Sequence, residues 1–354
     1  MDSNAGICIS LSTNNFLTSQ ATLGIGVSKQ RLDPDSAISF HAPHRLPSAT
    51  MGRSYDHIPV LSRHVVESLR PAPHQILVDC TLGLGGHASL LLEKISPGGI
   101  LIGCDFDPRH VELTHAALSQ TTAPHTTFHL RHSNFAALPT ILTELSIEKV
   151  DGILADLGVA SPQIDDPTRG FSYRRPGPLD MRMDPTRGQP ASTLINTLSE
   201  RELIESMLDL GDETDAPAIA RLIVERRGKS PILTTEALTA IICEARDFTL
   251  QRAAGAKLHP AARAFQAFRM LVNRETGNLE RLLTVAPDLL KPGGRLAIIS
   301  FHSGEDRRVK QAFRDGLRNG IFRDISPEPL VGTPEEIQQN PRARSAKLRW
   351  AERT

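Results

Sequence analysis

Cysteine is scarce. The 354 residues hold four, Cys8, Cys80, Cys104 and Cys243, far apart and without a C-x-x-C pair. That disfavours a zinc site or a disulfide framework and fits a reducing compartment. Long apolar runs are missing, so no membrane span is expected. Net charge is missing too, with 40 Lys and Arg against 40 Asp and Glu. The balance argues against a protein that coats nucleic acid, although it permits a local basic face. No basic segment followed by an apolar core opens the chain, so a secretory signal is not expected. Lys29 is the first basic residue, which weakens a mitochondrial transit reading. A cytoplasmic location is the expectation, with organelle targeting by residues 1–50 the lesser alternative. Those residues are rich in Ser, Thr, Asn and Ala and show no sustained period. Residues 1–54 read as a disordered extension; a targeting segment, or a true start at Met51, are the other readings.

What is present centres on Ile76–Asp107, ILVDCTLGLGGHASLLLEKISPGGILIGCDFD. Ile76–Cys80 is a short apolar run of the kind that forms a buried parallel strand. Gly83, Gly85 and Gly86 follow, then helical Ala88–Lys94, then Pro97-Gly98-Gly99 as a stop. A second apolar run, Ile100–Cys104, ends on Asp105. Glycines let a backbone approach a ligand closely. An acid ending the next strand, about 20 residues on, is placed to bind ribose hydroxyls. The blander reading is a tight βα turn with Asp105 as a helix cap. The spacing is G-x-G-G-H, without the Lys of a phosphate-binding loop and without G-x-G-x-x-G. It suits an adenosine ligand lacking a pyrophosphate, and S-adenosylmethionine is that ligand.

Downstream, Pro108–Gln120 reads as a helix with Val111, Leu113, Ala116, Ala117 and Leu118 as its apolar face. Thr127–Leu130 is a third strand that delivers Phe135 towards the crevice, as an adenine platform or as a core residue. Val150–Asp156 is a fourth strand ending on an acid. Pro162 and the polar residues after it do not announce a helix. Asp165–Gly188 carries Arg169, Arg174, Arg175, Arg182 and Arg187 among Phe171, Tyr173, Met181 and Met183. Arginines and aromatics in a long loop favour contact with nucleic acid or substrate. The alternative is a solvated loop whose arginines pair with Asp165, Asp166, Asp180 and Asp184. Ser199–Leu210, Ala216–Arg227 and Thr235–Arg246 show helical spacing. Ala262–Leu290 is a further helix that Pro287 divides, Arg295–Ser300 is the fifth strand, and Asn340–Arg349 is a basic terminal segment, solvated or part of an RNA footprint.

Together these strings resemble the RsmH (MraW) family of S-adenosylmethionine-dependent methyltransferases. The resemblance rests on His57–Leu61, DCTLGLGGH (Asp79–His87), CDFDP (Cys104–Pro108) and DGILADLGVASPQIDD (Asp151–Asp166). It continues through RGFSYRRPGPLDMRMDPTRG (Arg169–Gly188), HPAARAFQAFR (His259–Arg269), PGGRLAIISFHSGEDRRVK (Pro292–Lys310) and NPRARSAKLRWAERT (Asn340–Thr354). It implies an α/β, Rossmann-like class I methyltransferase sheet with an inserted all-helical domain. The implied boundaries are 55–165 and 260–354 for the S-adenosylmethionine-binding domain and 166–259 for the arginine-rich loop and substrate-recognition insertion. It implies methylation of N4 of a cytidine in small-subunit (16S) ribosomal RNA near the decoding centre. Cofactor contacts are implied at Gly85, Gly86, His87, Asp105, Phe135, Asp156 and Gln163. The family pattern is broken at Ala160, Ala262, Ala264, Gly304 and Asp212-Glu213-Thr214. The partner is 16S RNA or the small subunit, and a homodimer is left open; no metal cluster is legible.

The reaction is an in-line methyl transfer to an exocyclic amine, so the protein mainly aligns its reactants. Asp156 and the backbone of Gly158–Pro162 are the candidates for the reaction centre, with His302 and Ser303 secondary. Two competing readings are a small-molecule methyltransferase and a non-catalytic RNA-binding protein that kept the fold.

Overall fold

The computed structural model describes residues 59–121, 126–256 and 258–354. The N-terminal extension and His57-Ile58 lie outside the described residues. Five apolar runs form parallel strands: β1 (Ile76–Asp79), β2 (Ile100–Asp105), β3 (Thr127–His132), β4 (Val150–Asp156) and β5 (Leu290–Ser300). Three more strands, β6 (Phe322–Ile325), β7 (Leu330–Val331) and β8 (Lys347–Arg353), complete one sheet in the order β3-β2-β1-β4-β5-β8-β6, with β7 also on β8. β8 runs antiparallel between β5 and β6.

Successive side chains along a strand point to opposite faces, and both faces here are covered. Leu77, Leu101, Leu154, Ala297 and Ile299 belong to one core, packed by α1 (Ser62–Leu69), α2 (Gly86–Ile95) and α3 (Pro108–Thr121). Their neighbours Val78, Ile102, Ile153, Ala155 and Ile298 belong to the other, under α4 (Leu138–Glu144), α12 (Glu275–Leu289) and α13 (Ser303–Arg318). Each fully buried Leu or Ile contributes roughly 1.5–3 kcal/mol. Chain reversal between β1 and β4, where β2 and β3 lie to one side, makes the switch point at which such sheets bind ligands. This is the doubly wound α/β fold that the apolar runs announce.

Between β4 and β5 the chain forms α5 (Ser161–Asp165), α6 (Ala191–Thr197), α7 (Glu200–Gly211), α8 (Ala216–Arg227), α9 (Thr235–Ala245), α10 (Leu250–Ala254) and α11 (Ala262–Asn273). A third core unites Ile195, Leu203, Met207, Ile219 and Leu238 with Phe171 and Met181 of the loop and Phe265 and Phe268 of α11. The helical core therefore extends past residue 260. Ser199 and Glu202 cap α7 reciprocally, Ser199 N donating to Glu202 Oε2 at 2.7 Å, which satisfies donors that a helix start leaves over.

Four expectations are corrected. Pro162 does sit in a short helix, at its second position, where the missing N–H costs nothing. The 262–290 helix breaks at Arg274, which adopts a left-handed conformation, rather than at Pro287, which lies inside α12. In α3, Leu113 is 56% exposed and Ala116 and Ala117 are exposed, while His110, Thr114 and Leu118 are buried. The buried face mixes Leu118 with two polar residues because His110 and Thr114 are used to build the cleft described below. Finally, Lys347–Arg353 is no tail but a strand inside the sheet, with Arg349 buried against Asp306 at 2.6 Å.

Candidate active site

The carboxyl ends of β1, β2 and β4 open into a cleft of about 1010 Å³, including its mouth. Its first wall is the turn Leu82–Gly85. Asp105 at the end of β2 reaches across and accepts the Gly83 N–H at 2.8 Å, and Thr114 Oγ1 donates to Gly83 O at 3.1 Å. Gly83 has φ +51, and a Cβ there would meet no atom within 4 Å: its α-carbon faces open space. Gly85, at φ +81, is different. A Cβ would stand 2.9 Å from Thr114 Cγ2, so this glycine permits the turn to pack on α3. Gly86, His87, Asp105, Phe135, Asp156 and Gln163 all line the cleft, whereas Gly85 supports it from behind.

The acids are not equivalent. Asp105 Oδ1 accepts from Asp107 N at 2.8 Å and lies 3.2 Å from His110 Nδ1. Burial opposes charge on His110, but Asp105 outweighs it and the imidazole titrates above its ordinary value. At the end of β4, the Asp156 N–H donates to Thr81 Oγ1 at 2.7 Å. Its Oδ2 lies 3.7 Å from His87 Nε2, and its Oδ1 is buried without a hydrogen-bond partner. Burial pushes the Asp156 carboxyl up to about 7; Arg342 opposes this, and Asp79 and Glu305 add to it. Asp79, which sequence reasoning left out of the site, behaves alike: burial raises it to about 7 and its Oδ2 also lacks a partner. A strand-end acid immediately before the glycine turn was the signal that could have flagged it.

Gln163 and Asp107 form a brace. Gln163 Oε1 accepts from Ala160 N at 3.0 Å, and Nε2 donates to Asp107 Oδ2 at 3.0 Å. Arg169 donates to that same oxygen at 2.7 Å, and through Nη2 to the carbonyls of Arg182 and Met183. Burial works against the Asp107 charge, but Arg169 and Gln163 prevail and its carboxyl sits below the ordinary value. Arg169 is thus an internal staple. Phe135 is partly buried against the core under α4 and α12 and also lines the cleft, so both of its expected roles meet in one position.

A wall that sequence reasoning missed comes from the helical side: Met183, Asn273, Glu275 and Asn278, with Glu305 of α13. Asn273 fixes it, accepting from Met183 N at 2.8 Å and donating to Met181 O at 2.8 Å. Arg269 grips Glu275 with two bonds of 2.8 Å. The expected secondary candidates stand elsewhere. His302 Nε2 is 3.1 Å from Glu305 Oε1, and Ser303 Oγ donates to Asp212 Oδ2 at 2.8 Å; neither lines the cleft, and Glu305 does. Of the Gly158–Pro162 segment, Gly158, Val159 and Ala160 line it.

Residues 54–354 match the MraW methylase family. The ribosomal RNA small subunit methyltransferase H of Methylibium petroleiphilum is 42% identical over 312 residues, covering 85% of this chain and 96% of its own. The protein of the same name from Heliobacterium modesticaldum is 42% identical over 315 residues, covering 84% and 99%. With the match running through the glycine turn, the strand-end acids and the last strand alike, this chain belongs to the MraW methylase family.

Proposed function

We propose that this chain transfers a methyl group from S-adenosylmethionine to the exocyclic N4 amine of a cytidine in small-subunit ribosomal RNA. The observation that carries the reading is one cleft holding Asp105 and Asp156 on either side of the glycine turn. The names of the relatives support ribosomal RNA of the small subunit as the substrate.

The residues fit the cofactor. A carboxylate oxygen can accept more than one hydrogen bond, so Asp105 can hold the turn and still receive ribose hydroxyls. Gly83 leaves open space where a Cβ would project. Asp156 Oδ1 is a buried acceptor in want of a donor, and a ligand ammonium would satisfy it. In this reading Gly86, His87, Asp105, Phe135 and Asp156 contact the cofactor, while Gly85 and Gln163 shape its cradle. When bound, the cofactor supplies an electrophilic methyl on a sulfonium.

The chain's own work is alignment. The cytosine amine has its lone pair delocalised into the ring. Asp156, or the Gly158 carbonyl, accepting from the amine N–H would localise that pair and stabilise the charge that develops. The target base has to leave its stack to reach the cleft, where its Watson–Crick edge is read.

The test is mass spectrometry of nucleosides from small-subunit RNA of cells lacking the gene. N4-methylated cytidine should vanish and return with the wild-type gene, but not with Asp105→Ala or Asp156→Ala. An unchanged profile in the deletion strain sinks the substrate assignment. Full rescue by Asp156→Ala sinks the role given to that residue.

A further inference from the structure

The stretch that follows α14 (Pro334–Gln339) reaches the cleft from outside the sheet. Glu336 Oε1 accepts from Leu61 N at 2.6 Å, Ala343 and Ala346 are buried in the core with Leu348, and the turn Pro341–Arg344 between them is thereby pinned. From that turn Arg342 extends to the loop beyond β4. Its Nη2 donates to Val159 O at 2.7 Å and its Nη1 to Ser161 Oγ at 3.2 Å. Its Cζ lies 5.7 Å from the centre of the Phe301 ring, and its side chain lines the cleft.

Asp156 is the acid that this loop follows. Among the described residues, the charged groups whose fields act on it are Asp79 from β1, Glu305 from α13 and Arg342, and His87 from α2 stands 3.7 Å away. Two of these are acids and one is a histidine; Arg342 alone carries a permanent positive charge.

We infer that Arg342 is a positioning residue for methyl transfer: it holds the Val159 carbonyl and the Ser161 hydroxyl from outside and brings a permanent positive charge to the cleft that Asp156 also lines. A two-pronged guanidinium holds geometry that a single ammonium does not. The loop it holds carries the Gly158 carbonyl offered to the acceptor amine, so the inference rests on the proposed function. Its electrostatic half agrees with the direction in which Arg342 moves the Asp156 carboxyl, opposite to burial.

The test compares full-length wild type, Arg342→Gln and Arg342→Lys. Three quantities are read: S-adenosylhomocysteine affinity against pH by calorimetry, kcat and KM on small subunits from a strain lacking the gene, and thermal melting. Arg342→Gln should move the midpoint of the pH dependence upward, since the charge opposing protonation of Asp156 is gone. It should also lower kcat roughly 100-fold with KM for RNA little changed, the effect of a displaced loop. Arg342→Lys should restore the midpoint but not kcat. A midpoint and kcat at wild-type values in Arg342→Gln overturn the inference. So does an activity loss that follows loss of folded protein while the midpoint stays put. If the wild type itself binds no S-adenosylhomocysteine, the proposed function falls and this inference with it; normal wild-type binding with an indifferent Arg342→Gln refutes this inference alone.

Discussion

Two segments of this chain are rich in arginine, and they use it differently. In Asp165–Gly188, Arg169 is buried on Asp107, Arg175 pairs with Asp165, Arg182 with Asp180 and Arg187 with Asp184, and Arg174 remains exposed. In Asn340–Arg353 most of the traffic is inward: Arg342 lines the cleft, Arg349 is buried on Asp306, Arg353 donates to the carbonyls of Pro287 and Ile321, and Arg344 stays exposed. Composition alone makes both segments candidates for an RNA footprint. Position separates them. An arginine serves recognition only when the fold has not already supplied its carboxylate or carbonyl; the loop leaves Arg174 exposed for that, and the terminal segment Arg344.

That contrast can be broken at three places. The largest effect belongs to Arg169→Ala, which leaves the buried Asp107 carboxylate without its cation and should cost about 3–5 kcal/mol in equilibrium urea unfolding. The deficit has a sign with pH. The Asp107 carboxyl lies below its ordinary value in the folded chain, so its stabilisation is present at neutral pH and is lost as pH falls through the folded-state value. Wild-type and variant midpoints should converge in acid; a constant gap would assign the loss to packing. Next is Arg349→Ala. Asp306 keeps Lys347 at 3.5 Å, so the expected cost is smaller, about 2 kcal/mol. The smallest effect on stability belongs to Arg174→Ala, within about 0.5 kcal/mol. There the measurement that matters is RNA affinity against salt, whose slope should drop by about 1 if Arg174 meets a phosphate. An unchanged slope removes Arg174 from any footprint.

The half of the site built by β1, β2 and β4 was legible because its signals are local. An apolar run, a glycine turn and a strand-end acid sit within a few residues of one another, and each has one physical meaning. The other wall was not legible. Asn273, Glu275 and Asn278 acquire their meaning from the break at Arg274, where nothing in the sequence competes with the louder signal of Pro287. The last strand was hidden for a related reason. KLRWAER carries three charged side chains besides its lysine, and these read as solvent-facing until Asp306 and the Arg295–Glu352 pair are seen to neutralise the inward ones. The partly polar buried face of α3 fell to the same blindness: a periodicity of apolar residues cannot announce that a histidine and a threonine are turned inward too.

The antiparallel place of β8 has a consequence for synthesis. A ribosome delivers β5 some fifty residues before β8, yet β6 joins the sheet only through β8. Until β8 has been made, β5 is an open edge and Asp306 at the start of α13 has no Arg349 nearby. Without β8 the chain would carry every residue of the glycine turn and still leave β5 without its antiparallel neighbour and Asp306 without Arg349. In order of synthesis the sheet is therefore closed late: β5 gains its second neighbour only when β8 arrives, and β6 joins through it.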